Sequence, residues 1–157
     1  MKKSLSIAFI GNREHSVYVL DHLIAEGWEV SCVIGPDRSS ARHQAGGRSL
    51  DRVCEKRDVP YIDAGDINSE RVVRALETAR PDIGVCAGWT QIISDRVTTI
   101  PQYGFIGVHA SRLPSGRGGA PVNWQLIAGA SEVGLSVFEL DPEVNHGAIY
   151  AQTTVQI

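Results

Sequence analysis

His109 is the residue around which chemistry could gather. It closes a short apolar run, Phe105, Ile106 and Val108, that reads as a strand. Ser111 follows, and then a Pro/Gly/Arg-rich loop from Leu113 to Pro121. A histidine at the carboxyl end of a strand, beside a glycine-rich loop, can give or take a proton near neutral pH. The position equally suits a histidine satisfied by loop carbonyls, and the bare sequence leaves both open. Arg117, inside the loop, can pair with a phosphate or carboxylate of a ligand or bond loop carbonyls. Asn145 and His146 lie in a polar turn, Asp141 to Gly147, while Trp89 and Gln91 follow an apolar run from Ile83 to Ala87. Trp89 offers a flat face for a heterocycle or a filler between loops. His15, His22 and His43 show no metal-ligand spacing, so they are expected at the surface and no metal site is expected.

These residues need a scaffold that brings strand ends together. Leu5 to Ile10 reads as a buried first strand ending at Gly11-Asn12. Val17 to Ala25 has helical spacing, with Gly27 as its C-terminal stop. Trp28 to Ile34 reads as a second strand, Ser39 to Gly47 as a mobile loop, and Leu50 to Lys56 as a short helix. Val59 to Ile62 reads as a strand, and Ser69 to Ala79 as a helix capped by Asn68 or Ser69. Ile83 to Ala87 reads as a central strand. After His109 come a helix around Trp124 to Ala128, a strand from Leu135 to Leu140 and a last strand from Ala148 to Ile157. The alternation predicts an α/β fold: a doubly wound, mostly parallel sheet with helices on both faces. Ligands in such sheets bind beyond the carboxyl ends of the strands, which points to the loops after Ile10, Ala87 and His109. Gly11 to Ser16, GNREHS, is no GxGxxG, so a dinucleotide reading is weak.

The 157 residues suit one domain, 1–157, with 43% hydrophobic and 21% charged residues. A doubly wound domain normally covers its last strand with another helix, so a C-terminal truncation is left open. No run is apolar enough to span a membrane, and Met1-Lys2-Lys3 leads into a strand rather than a signal core, which reads as cytoplasmic. The net charge of -3 disfavours nucleic acid as a partner. The arginines between Arg38 and Arg57 are interleaved with Asp37, Asp51, Glu55 and Asp58, a solvated face. Cys32, Cys54 and Cys86 are too widely spaced for a CxxC pair; Cys32 and Cys86 sit in apolar runs as buried free thiols.

The run from His109 to Trp124, HASRLPSGRGGAPVNW, with Gly134 and GAIYAQ at 147–152, resembles the signature of the formyltransferases that use 10-formyltetrahydrofolate. Ala87 to Ser94, AGWTQIIS, is similar to the loop whose backbone holds the pterin ring in that family. The likeness is nearest to the branches acting on sugar nucleotides or methionyl-tRNA; the purine-pathway branch fits less well, because the first loop lacks its phosphate-binding glycines. The resemblance implies that an amine attacks the formyl carbon and that an asparagine two residues before the histidine stabilises the tetrahedral oxyanion. It further implies that a carboxylate in the later turn pairs with the histidine and relays the proton. Here His109 matches, but the asparagine position is Gly107 and the carboxylate position is Asn145. The implied catalytic residues are His109 and Asn145. Donor-binding residues would be Trp89, Gln91, Ile92, Ile93, Asp141, Pro142 and Glu143, in a cleft between the loop 89–94 and the turn 141–147. Gly11, Asn12, Arg13, Ser111 and Arg117 would meet the acceptor, a small-molecule amine, foremost an amino sugar on a nucleotide. Homo-oligomers are left open.

Gly107 and Asn145 imply reduced activity, and three accounts compete. Gly107 is tolerated while Asn145 weakens the relay; Asn123 or Gln91 replaces the oxyanion donor; or the chain binds folate without turnover. A hydrolase passing the formyl group to water is the alternative within the same fold.

Overall fold

The computed structural model describes residues 5–36, 38–43 and 46–157. The Met1-Lys2-Lys3 lead-in, Asp37 and part of the expected loop at 39–47 lie outside the described residues. The chain divides into two compact units, Met1–Phe105 and Ile106–Ile157.

The first unit contains β1 (Ser6–Ile10), α1 (Glu14–Ala25), β2 (Glu29–Gly35), α2 (Arg38–Arg42), α3 (Asp51–Arg57), β3 (Tyr61–Asp63), α4 (Glu70–Ala79), β4 (Ile83–Ala87) and α5 (Asp95–Thr98). Its strands lie in the order β3-β2-β1-β4, every pair parallel. Parallel neighbours cannot be joined by a tight turn, so α1, α3 and α4 serve as crossovers. The chain moves outward from β1 through β2 and β3, then returns to its other side as β4. That reversal opens a crevice at the carboxyl ends of β1 and β4.

Burial on both faces explains the unbroken apolar run of β1, where Ile7, Ala8, Phe9 and Ile10 are all buried. Val72, Val73 and Leu76 of α4 and Leu20 of α1 are buried as well. Helix α1 starts three residues earlier than its apolar spacing predicts. Ser16 is the reason: its Oγ accepts the Arg13 N–H at 3.0 Å and donates to the Ala87 carbonyl at 2.6 Å, fixing the helix start to the end of β4. The helix stops where expected. Gly27 has φ +81°, its N–H reaches the Ile24 carbonyl at 3.0 Å, and the Trp28 N–H reaches that of Leu23 at 3.1 Å.

Two elements differ from expectation. Arg38–Arg42 is a helical turn inside the stretch read as a mobile loop, and α5 was not foreseen. Both are five residues or fewer, too short to print a helical period on the sequence. Burial lifts the Cys32 thiol to about 11 and the Cys86 thiol to about 12; burial and then the Asp51 carboxylate lift Cys54 to about 12.

The second unit holds most of β5 (Phe105–His109), then α6 (Pro121–Ile127), β6 (Glu132–Glu139) and β7 (Ile149–Gln156). Here every pairing is antiparallel, in the order β5-β6-β7. The segment 140–148 between β6 and β7 is too short for a crossover helix, so the two strands must form a hairpin. Gly134, Ser136 and Phe138 alternate inward on β6, whereas β7 is exposed along its whole length. The class is thus the expected α/β with a mostly parallel sheet, parallel in the first unit and antiparallel in the second. Among the described residues no helix is long and apolar enough to cross a membrane.

Candidate active site

In the first unit the candidate residues gather on the crevice between β1 and β4. The Asn12 N–H donates to the Gly88 carbonyl at 3.0 Å, and the Asn12 carbonyl accepts the Arg48 N–H at 2.8 Å. Arg13 pairs with Gly47 in an isolated antiparallel bridge, so residues 46–48 run beside the loop of Gly11, Asn12 and Arg13. Gly11 and Asn12 are buried and Arg13 is half-buried at the start of α1.

The loop after β4 is braced from below. Gln91 accepts the Ile67 N–H at 2.9 Å and donates to the Gly65 carbonyl at 2.8 Å. Asn68 donates to the Ile92 carbonyl at 3.0 Å and accepts the Ser94 N–H at 2.8 Å. Ile92 is exposed and Ile93 is buried. Gln91 thus has both ends of its amide engaged by the segment 65–67. The Trp89 indole N–H is buried and meets no acceptor among the described residues. Leaving such a donor unmatched costs about 1–3 kcal/mol, which favours an acceptor brought by a ligand.

His15 was expected at the surface and is exposed there, as the second residue of α1. It packs against this rim: a Cβ placed on Gly88 would lie 2.5 Å from His15 Nε2. Burial, and then Arg13, hold its imidazole below the ordinary 6.5. Its spacing gave no signal, because it is brought to the rim by the Ser16 contact with β4.

In the second unit His109 is the last residue of β5, only 9% exposed. Its Nε2 lies 2.8 Å from the Gly116 carbonyl. A carbonyl only accepts, so this nitrogen carries the proton and, in the neutral ring, Nδ1 keeps a lone pair. The loop-carbonyl reading of His109 therefore holds for one ring nitrogen, and the other is left with its lone pair.

The loop after β5 is laid over β6. Ser136 Oγ donates to the Ser111 carbonyl at 2.6 Å and accepts the Leu113 N–H at 3.1 Å. Gln152 Nε2 donates to the Leu113 carbonyl at 2.7 Å and to Ser136 Oγ at 2.9 Å. Gln125 Nε2 donates to the Ala110 carbonyl at 2.8 Å while its Oε1 accepts the Gly134 N–H at 3.2 Å. Gly134 permits the crossing, since a Cβ there would lie 2.3 Å from the Arg112 nitrogen. Ser111 itself is buried and its hydroxyl donates to the Ser115 carbonyl at 2.7 Å.

Gly107 and His109 share the buried face of β5. A Cβ on Gly107 would lie 2.5 Å from Leu140 Cδ2 and 3.0 Å from two atoms of the Phe138 ring. Asn145 adopts φ +55°, and its carbonyl accepts from Arg117 Nε at 3.0 Å. Among the described residues no hydrogen bond joins the Asn145 amide to His109. In the turn, Asp141 Oδ1 accepts the Glu143 N–H at 3.0 Å, and Pro142 and Glu143 are exposed. Asn123 is exposed on α6. Among the described residues no group of three or more His, Cys, Asp or Glu is arranged to hold a metal.

Comparison with known proteins places this geometry. Residues 5–157 match the Formyl transferase family. A methionyl-tRNA formyltransferase of Halalkalibacterium halodurans is 34% identical over 155 residues, 98% of this chain and 49% of that protein. The Thermotoga maritima methionyl-tRNA formyltransferase is 29% identical over 98% of this chain and 50% of that protein. The chain thus spans about half the length of the curated relatives it matches. Among solved structures, phosphoribosylglycinamide formyltransferase from Streptococcus pneumoniae TIGR4 has a TM-score of 0.78 at 19% identity, covering 98% of this chain and 83% of that chain. A formyltetrahydrofolate deformylase from Pseudomonas syringae pv. tomato has a TM-score of 0.76 at 22% identity, covering 100% of this chain and 52% of that one. At such identities the two structures show the shared fold alone. The family match, which runs from Leu5 to the last residue, shows that the chain belongs to the formyl transferase family.

Proposed function

We propose that this chain passes a formyl group from 10-formyltetrahydrofolate to an amine of a small molecule, with an amino sugar carried on a nucleotide as the acceptor class. The observation that carries the reading is His109 at a strand's carboxyl end, its Nε2 proton fixed on the Gly116 carbonyl. Family membership supports the formyl chemistry. The unmatched Trp89 indole N–H and the braced loop 89–93 suit recognition of the donor's heterocyclic ring. Residues 141–143 are proposed as further donor contacts. The net charge of -3 supports a small acceptor over a polyanion. Gly11, Asn12 and Arg13, at the start of α1, suit its phosphate or sugar, as does Arg117.

When bound, the donor supplies an electrophilic formyl carbon. His109, once protonated at Nδ1, then stabilises the charge that develops on the formyl oxygen and passes that proton on. Gly107 contributes no donor, and losing one such donor typically costs about a hundredfold or more in rate. Slow turnover is therefore part of the proposal.

The test is donor consumption measured with amino sugar nucleotides, with methionyl-tRNA, and with no amine. Consumption that requires an amino sugar nucleotide supports the proposal. Formate release without any amine would make the chain a hydrolase. Consumption with methionyl-tRNA alone would replace the acceptor. Binding of an unreactive donor analogue without turnover would make it a binding domain, and no binding would overturn the reading outright.

A further inference from the structure

Asn145 stands where the family pattern expects a proton-accepting carboxylate, and an amide accepts no proton. One residue on, His146 does. Its Nδ1 lies 3.5 Å from Asp141 Oδ2 and 3.7 Å from Glu143 Oε2. Asp141 is held in place by its other oxygen, Oδ1, which accepts the Glu143 N–H at 3.0 Å. The turn is in turn tied to His109 through two adjacent residues. Gly116 accepts from His109 Nε2 at 2.8 Å, and Arg117 donates to the Asn145 carbonyl at 3.0 Å. The charged groups about His146 are thus Asp141 and Glu143 from its own turn and Arg117 from the loop.

We propose that His146, held between Asp141 and Glu143, takes the proton-accepting role that Asn145 cannot fill. This rests on the formyl-transfer reading. As the amine nitrogen bonds to the formyl carbon, its N–H bond breaks and the proton passes through water to the His146 ring. Both carboxylates face its Nδ1. The His146 side chain is 52% exposed, so it returns the proton to solvent. His109, protonated at Nδ1 from solvent beforehand, gives that proton to the nitrogen whose bond to the formyl carbon breaks, so one proton is taken from solvent and one is returned to it.

The test follows the full chain consuming 10-formyltetrahydrofolate in the presence of amino sugar nucleotides, from about pH 5 to 9, where an imidazole changes charge. Affinity for an unreactive donor analogue is measured in parallel. His146→Gln should keep that affinity, lose at least about tenfold in rate and lose the limb of the pH profile that falls toward acid. Adding Asn145→Asp to His146→Gln should recover most of the rate. The proposal is overturned if His146→Gln keeps the original profile, if it loses analogue affinity together with rate, or if the unmodified chain binds the analogue but never turns over. Failure of the unmodified chain to bind the analogue at all would instead bring down the formyl-transfer reading beneath it.

Discussion

Position 107 is closed by its own neighbours. Phe138 and Leu140 fill the space a side chain would need, so the family's asparagine cannot simply be put back. Gly107→Asn is expected to destabilise by about 1–3 kcal/mol in denaturant titration, because the core must shift around it, and to leave the rate unimproved. Position 145 behaves oppositely. Its φ of +55° is one that Asp adopts as readily as Asn. Asn145→Asp should therefore stay within about 0.5 kcal/mol of the parent stability while raising the rate of formyl transfer. Asn145→Ala should cost about 1 kcal/mol from the left-handed backbone alone. His109 and the 141–147 turn were legible in the sequence because each is a local pattern. The duties of Gln91 were not, since its partners at Gly65 and Ile67 lie 26 and 24 residues away.

The strands and long helices were legible wherever burial imposes a period. Ile7 to Ile10 and Ile83 to Ala87 carry apolar runs because most of each strand is covered on both faces. The antiparallel half was hidden, since only the length of the 140–148 connection betrays it. Ser136 illustrates the limit at this scale. It sits among apolar residues on β6, yet its hydroxyl takes part in three hydrogen bonds that hold the loop after β5. Ser136→Ala strands the buried Leu113 N–H, and is expected to cost about 1–3 kcal/mol. A thermal melt reads that loss. The donor's turnover should fall with it, because the loop that carries Gly116 also sets the His109 ring. A Ser136→Ala chain that melts and turns over like the parent would refute this coupling.

For the molecule as a whole, alternation of strand and helix predicted the class correctly, while the meeting of His15 with Gly88 emerged only from the folded first unit. That contact has a thermodynamic signature. The folded state holds the His15 imidazole below 6.5, through burial and then Arg13, so the unfolded chain binds the proton more readily. This contribution to stability is full above about pH 6.5 and is lost as pH falls toward the folded-state value. Denaturant titrations across that interval should show a shallower decline for His15→Gln than for the parent; identical slopes would show that the contact does not matter. The thiols have a practical consequence of a different kind. Burial raises Cys32 to about 11 and Cys54 and Cys86 to about 12, so all three are expected to react slowly with maleimides at neutral pH. A single cysteine introduced at Val144, 54% exposed beside Asn145, becomes the one address a fluorophore or spin label can find. Whether the turn moves when a donor analogue is added can then be read without first stripping the protein of its own sulfur.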